Sequence, residues 1–385
     1  MCGKSGGNRL KAGSGTFYQQ IQSFRMRKIL VFVACLLVVG ETIAQRVDLD
    51  RFSFQVNYRE LPQLPLDSSF RTYDFSCDIG PLMKLALGNE SPAERLEIMG
   101  WKWLAANGHV SVHLKMEDLI ITKSDINQRE EIKKDKNGNI VSKKMWYAPR
   151  LTYTYAARVL IRDYTGRQID EYQLVNRQQQ FTYQGTEVGN KIAAFNVLLN
   201  MVVLTTQVSR DVLYNTIYQL SGNLTRQYGY LEKRISDMVW LVSNRKHPEY
   251  NQFRNNWGIV KNALFKINTN ESVEPIWQEV QPAIAYFEKI RREYDGNNKH
   301  DRKLRYATHF ILSKLYFYLD KADLAQREAS DLILNDYDKR DGYHLESMAN
   351  YLKNELANNR RSTRYFPLFV QSFEGPQNVS LYSGQ

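Results

Sequence analysis

His109 and His113, four residues apart in HVSVH, are the nearest approach to a metal pair in this chain. Zinc takes imidazole nitrogens at bond lengths of about 2 Å, so both rings would have to reach one point. Val110, Val112 and Leu114 alternate around the histidines and mark a strand, on which residues four apart stand about 13 Å from each other. The two rings are therefore expected on a strand's polar face, without an ion. No HExxH and no cysteine partner accompanies them.

Carboxylates are the next candidates. Asp118 and Asp163 lie in the strand-rich part of the chain and could serve an envelope hydrolase acting on glycan or peptide, provided they converge to about 5–10 Å in a cleft. Glu117–Asp118 and the Asp320/Asp323 pair both lack the spacing of a calcium loop. There is no G-x-S-x-G. Cys77 alternates with Tyr73 and Phe75 in FRTYDFSCDI and reads as a buried strand thiol rather than a nucleophile. No cofactor or metal is expected, and catalysis is the rival reading rather than the leading one.

The elements that would hold such groups begin after an export signal. MRKILVFVACLLVVGETIAQ (26–45) has a basic start, an apolar run over Ile29–Gly40 and small residues before Gln45. The run reaches about 18 Å as a helix, against a hydrocarbon core of about 30 Å, so residues 26–44 are expected to be a cleaved signal peptide rather than a membrane span. Residues 1–25 are expected to be an untranslated or unstructured extension. The implied address is periplasmic or otherwise exported, peripheral to the outer membrane. Residues 1–44 hold six Lys and Arg but one Glu, so their removal lowers the net charge from +11 to +6. That surplus, without a basic stripe among aromatics, points away from nucleic acid.

From 45 to 242 the pattern predicts an α+β domain. FSFQVNY and FRTYDFSCDI alternate with period two, and Asn137-Gly138 marks a tight turn in an exposed charged hairpin. Four sequential strands predict an antiparallel meander with helices on one face. SPAERLEIMGWKWLAANG, with Ser91 as cap and Pro92 in the first turn, predicts a helix ending at Asn107-Gly108. The apolar stretch from Asn190 to Val242 predicts one or two long helices. From 243 to 363 helices are expected over Tyr250–Ile267, Val273–Tyr294, Lys303–Leu319, Ala322–Asn335 and Tyr343–Asn358.

ATHFILSKLYFYLDKADLAQREASDLILND, with Leu315, Tyr316 and Leu319 on one helix and Leu324, Ala325, Ala329 and Leu332 on the next, resembles a tetratricopeptide-type hairpin over about 30 residues. The signature Trp and Gly of that family are absent. The resemblance implies stacked helical hairpins that hold a peptide or protein without catalysis. The IAQ end of the leader, the segment VNYRELPQLPLDSSFRTYDF and this helical region together are similar to exported envelope proteins of Bacteroidota.

These readings converge on a non-catalytic periplasmic scaffold that binds another envelope protein through its helical region and tail, with no membrane span left after signal cleavage. The candidate partner-binding residues are Arg360, Arg361 and Arg364 in NNRRSTR, and Phe366, Phe369 and Phe373 in the aromatic tail (364–385), where Pro367 and Gly375-Pro376 forbid an ordinary helix. Trp146 and Tyr147 on the exposed hairpin complete the set. They would also suit a carbohydrate- or lipid-binding module.

Overall fold

The computed structural model describes residues 46–376. The proposed leader, the 1–25 extension and the last nine residues of the tail lie outside the described residues. The chain is α+β, with antiparallel sheets first and a helical region after them.

Three sheets occur among the described residues. β1 (Leu49–Glu60) pairs antiparallel with β10 (Leu231–Val242) along twelve positions. A five-stranded sheet has the order β3-β2-β4-β7-β8, built from β2 (Thr72–Ile79), β3 (Lys102–Trp103), β4 (Val110–Met116), β7 (Ala157–Asp163) and β8 (Gln168–Val175). The third sheet, β5-β6-β9, is a long hairpin of β5 (Ile120–Lys134) and β6 (Ile140–Thr154), with the short β9 (Phe181–Gln184) on its base. The pairing departs from a plain meander: β2 runs parallel to both β3 and β4, and β4 skips the hairpin to pair with β7. In β4 the alternation seen in the sequence is physical, since Val110, Val112, Leu114 and Met116 are all buried.

One expected helix fails and another stretch is helical over only part of its length. The helix in the 91–108 segment is confined to a short 3-10 element, Pro92–Arg95, capped by Ser91; a turn at Met99-Gly100, closed by the Trp101 amide on Ile98 O at 3.0 Å, then leads into β3. Tertiary hydrogen bonds outcompete helix propensity here. Glu97 and Met99 donate their amides to Ser221 Oγ and Thr225 Oγ1, the Trp101 indole donates to Tyr228 O at 2.8 Å, and Gly100 takes a φ of +79°. The end of the 190–242 stretch is likewise strand β10, because β1 offers it a full-length partner. Helix α1 (Pro81–Leu87), absent from the sequence reading, follows β2 directly.

The remaining helices are α2 (Lys191–Leu199), α3 (Met201–Tyr228), α4 (Tyr250–Phe265), α5 (Glu274–Glu293), α6 (Lys299–Tyr318), α7 (Ala322–Leu334) and α8 (Lys339–Asn358). Helices α4–α8 match the five expected in the C-terminal half within a few residues and stack in chain order. Every residue from Tyr306 to Asp320 is buried. A helix buried on all sides needs neighbours on all sides, polar partners included, and α6 finds them in α5, α7, α8 and the β1–β10 ribbon. The ribbon thus lies where a stacked-hairpin array would otherwise present a free face. Buried residues of the sheets and of the helices form one continuous cluster.

Candidate functional site

Three polar clusters deserve weighing as sites, and each proves to be internal bracing. In the first, His309, Glu328 and Asp331 bring ligand atoms within 4.8 Å of one another. Arg291 Nη1 donates to both oxygens of Glu328 at 2.9 and 2.8 Å, and Glu328 also pairs with His309 Nδ1 at 2.9 Å. Burial alone would raise the Glu328 carboxyl, but the His309 hydrogen bond and the Arg291 charge outweigh it and hold it below its usual range. The guanidinium takes the coordination sites a dication would need and repels it. A cavity of about 410 Å³ beside the cluster is lined by Arg291, Arg292, Arg305, His309, Asp331 and Asn335. Arg305 is committed to Asn335, Tyr294 O and Gly296 O, so the arrangement chiefly ties α5, α6 and α7 together.

The second cluster joins β10 to α6. Lys314 Nζ donates to both oxygens of Asp237 at 2.7 and 2.6 Å, and the Tyr318 hydroxyl donates to Oδ2 at 2.5 Å. The third lies beneath the tail, where Arg364 bonds Asp320 and Phe317 O. Beside it Glu355 Oε1 accepts from the Leu61 amide while Oε2 is buried without a partner.

The hydrolase pair does not converge. Asp163 stands opposite Val110 at one end of β4, and Asp118 follows Met116 beyond the other end, a separation of about 20 Å or more at 3.3 Å per residue. Asp118 accepts from the amide of Met83 in the first turn of α1. Asp163 organises the 163–167 turn through Thr165 and Arg167. His109 and His113 bond Thr72 and Ser76 respectively, each through Nδ1, and do not meet. Cys77 is half-buried and burial pushes its thiol up to about 12, which removes the thiolate a nucleophile needs.

The tail residues are divided by burial. Arg364 is wholly inside, so its expected role as a docking cation gives way to a structural one. Desolvation without a counter-charge forbids leaving it there alone, and Asp320 supplies that charge. Phe366 packs back onto the fold between Arg59 and Arg361, whose guanidinium carbons lie 4.5 and 3.8 Å from its ring. Phe373 is half-buried near Arg71, and its carbonyl accepts from Lys102 Nζ. Arg360 at the end of α8 and Phe369 remain exposed. The described part of the tail, 364–376, is thus mainly an internal strap, returning from α8 along the ribbon.

What remains unused is a projecting wing. Beyond β9 the β5–β6 hairpin continues with most of its side chains in water, and exposed Ile132, Ile140 and Val141 sit near its tip. Trp146 and Tyr147 lie partway along β6, both half-buried. Trp146 donates to Glu131 at 2.8 Å and carries Lys144 Nζ 3.8 Å above its ring. The Tyr147 backbone forms a bridge with Val188, which leads directly into α2. Asn190 caps that helix by accepting from the Ile192 amide.

Helix α2 is the anomaly. KIAAFNVLL is apolar around nearly its whole circumference, yet of its nine residues only Ala194 is buried. Ile192 is 69 % exposed and Leu199 68 %, and past the Asn200 corner Val202 is 76 % exposed. A residue of this type forgoes about 1.5–3 kcal/mol by not being buried. From Leu204 on, α3 turns into the core. The patch therefore has a defined extent, from Ile192 to Val203, and it carries no charged residue. Sequence reading placed partner contact on Trp146 and Tyr147, beside this helix, and expected helices on one face of the sheet; α2 does lie against β5 and β6, but it turns most of its own side chains outward. Its uniform apolarity was the missed signal. Among the described residues no single helix is long and apolar enough to cross a membrane; α2 and α3 pass such a test only together, across an 80° bend.

No family profile matches this chain, and no curated protein matches it.

Proposed function

We propose that this protein is a non-catalytic docking scaffold of the cell envelope, exported through the 26–44 leader, in which the helical region and the β1–β10 ribbon form a rigid platform and the wing engages the partner. The observation that carries the reading is the exposed apolar corner of α2 and α3 beside Trp146 and Tyr147. Contiguous exposed apolar surface on an otherwise well-packed protein marks an interaction site. The platform supports the same division of labour: its polar clusters are paired internally, and its tail is strapped down.

The helical region is a weaker docking surface than its tetratricopeptide-like sequence implies, because the ribbon already covers α6. Site-specific photocrosslinking in the native host separates the two surfaces. Crosslinkers at Val141, Tyr147 and Val197 on the wing are compared with crosslinkers at Leu334 and Tyr343 on the helices. Adducts with envelope components from the wing are expected. Adducts from the helical positions alone would overturn the assignment, and a cytosolic protein with its leader intact would overturn the address.

A further inference from the structure

We infer that the wing binds the surface of an anionic lipid bilayer, with α2 and its corner entering one leaflet and the hairpin lysines meeting the headgroups. This rests on the wing being the docking surface and specifies what it docks to.

Three observations favour lipid over a protein partner. The first is the distribution of apolarity on α2. A helix that docks on a protein needs one apolar face, whereas a helix fully surrounded by apolar material, such as acyl chains, is apolar all round. At 100° per residue Ile192, Phe195 and Leu199 share one face of α2 while Val197 leaves from nearly the opposite one, and all four are exposed. The second is length. Nine residues of helix span about 14 Å, less than half of a hydrocarbon core of about 30 Å. With α3 committed to the protein core from Leu204, the corner can enter a bilayer but cannot traverse it.

The third is charge. Between Ile132 and Lys144 the hairpin carries Lys133, Lys134, Lys136, Lys143 and Lys144 against Asp135 alone, and all five lysines are exposed. Asp135 is turned inward on its own loop, accepting from the amides of Asn137 and Asn139. Lys143 pairs with Glu130 and Lys133 with Glu131 on the strand, while Lys134 and Lys136 at the tip face solvent with no carboxylate partner among the described residues. Exposed Ile132, Ile140 and Val141 stand among them. Lysines around apolar side chains match an anionic headgroup layer over acyl chains, and the two attractions act together.

The test is flotation of the purified protein with vesicles of phosphatidylglycerol and phosphatidylcholine at a ratio of roughly 3:7, and with vesicles of phosphatidylcholine alone. Co-flotation with the anionic vesicles, weakened by salt and much reduced on neutral ones, is expected. Phe195→Asp with Leu199→Asp should lower binding at least tenfold. So should replacement of the five lysines by glutamine. Both sets of positions are exposed, so the circular dichroism and melting midpoint of each variant should match the parent. Failure of the parent protein to float, or equal flotation of parent and variants, would overturn the inference. Wing photocrosslinks to a protein combined with no flotation would overturn it while leaving the docking assignment standing. Loss of both would remove the docking assignment as well. A dimer that forms through the wing, and that the Phe195/Leu199 variant dissociates, would also overturn the lipid assignment.

Discussion

Arg364 and Asp320 form an ion pair sealed from water: Nε lies 2.7 Å from Oδ1, and the two side chains are 0 % and 2 % exposed. A second arm of the pair fixes the tail backbone, since the Arg364 amide donates to Asp320 Oδ2 at 2.5 Å. Asp320 takes a φ of +57° at the turn between α6 and α7, so the pair joins a helical hairpin to the strap crossing it.

Removing one partner of this pair leaves a buried charge unmatched. Arg364→Ala should therefore lower the unfolding free energy by about 3–5 kcal/mol, whereas Arg364→Met combined with Asp320→Leu should cost less than either single change. Urea midpoints of the three variants check this. A loss in the double variant equal to the sum of the two single losses would mean that the pair is not coupled.

Stability should fall as pH rises from 5 to 8, because of Glu355. Burial pushes its carboxyl up to about 7, with Arg364 and the Leu61 amide opposing and Glu60 and Asp320 reinforcing. The folded state then holds a proton that the unfolded chain releases near pH 4.5, so the contribution is complete below that value and is lost as pH climbs to 7. The span corresponds to about 3 kcal/mol. Glu355→Gln, which keeps an acceptor for Leu61, should flatten this part of the curve in urea titrations at several pH values.

Arg291 and Glu328 should behave as a brace and not as part of a metal site. Arg291→Ala is expected to cost about 3 kcal/mol by removing the two-oxygen partner of the buried Glu328 and leaving it only His309 and the longer contact to Arg327. Zinc should leave the melting midpoint of the parent unchanged. A zinc-dependent rise in that protein would reverse the assignment.

Gly108 is a packing constraint of a different kind. A Cβ there would stand 2.5 Å from the Tyr73 carbonyl carbon and the Asp74 nitrogen, both backbone atoms of β2 that cannot swing aside. Gly108→Ala should destabilise by about 1–3 kcal/mol through overpacking. Thermal melting against Gly138→Ala, at a hairpin tip with nothing nearby, separates crowding from backbone strain.

Local sequence determined the α+β class, the Asn137-Gly138 hairpin, the alternation of β4 and the five C-terminal helices, because each is written in the period of neighbouring residues. YLEKRISDMVWLV alternates too, and its strand was legible had the helical run before it not been extended across Gly229. Other features needed the fold. The 97–101 segment is not helical because its amides find acceptors on α3, more than a hundred residues away. Arg364 reads in NNRRSTR like its two neighbours, and only the arrival of Asp320 beneath it makes it internal. The free surface of the helical array was decided by β1 and β10, which meet across some 170 residues of chain. Periodicity reports what a segment can bury; which partner covers it, and so which apolar helix is left facing outward, is set by contacts distant in the chain.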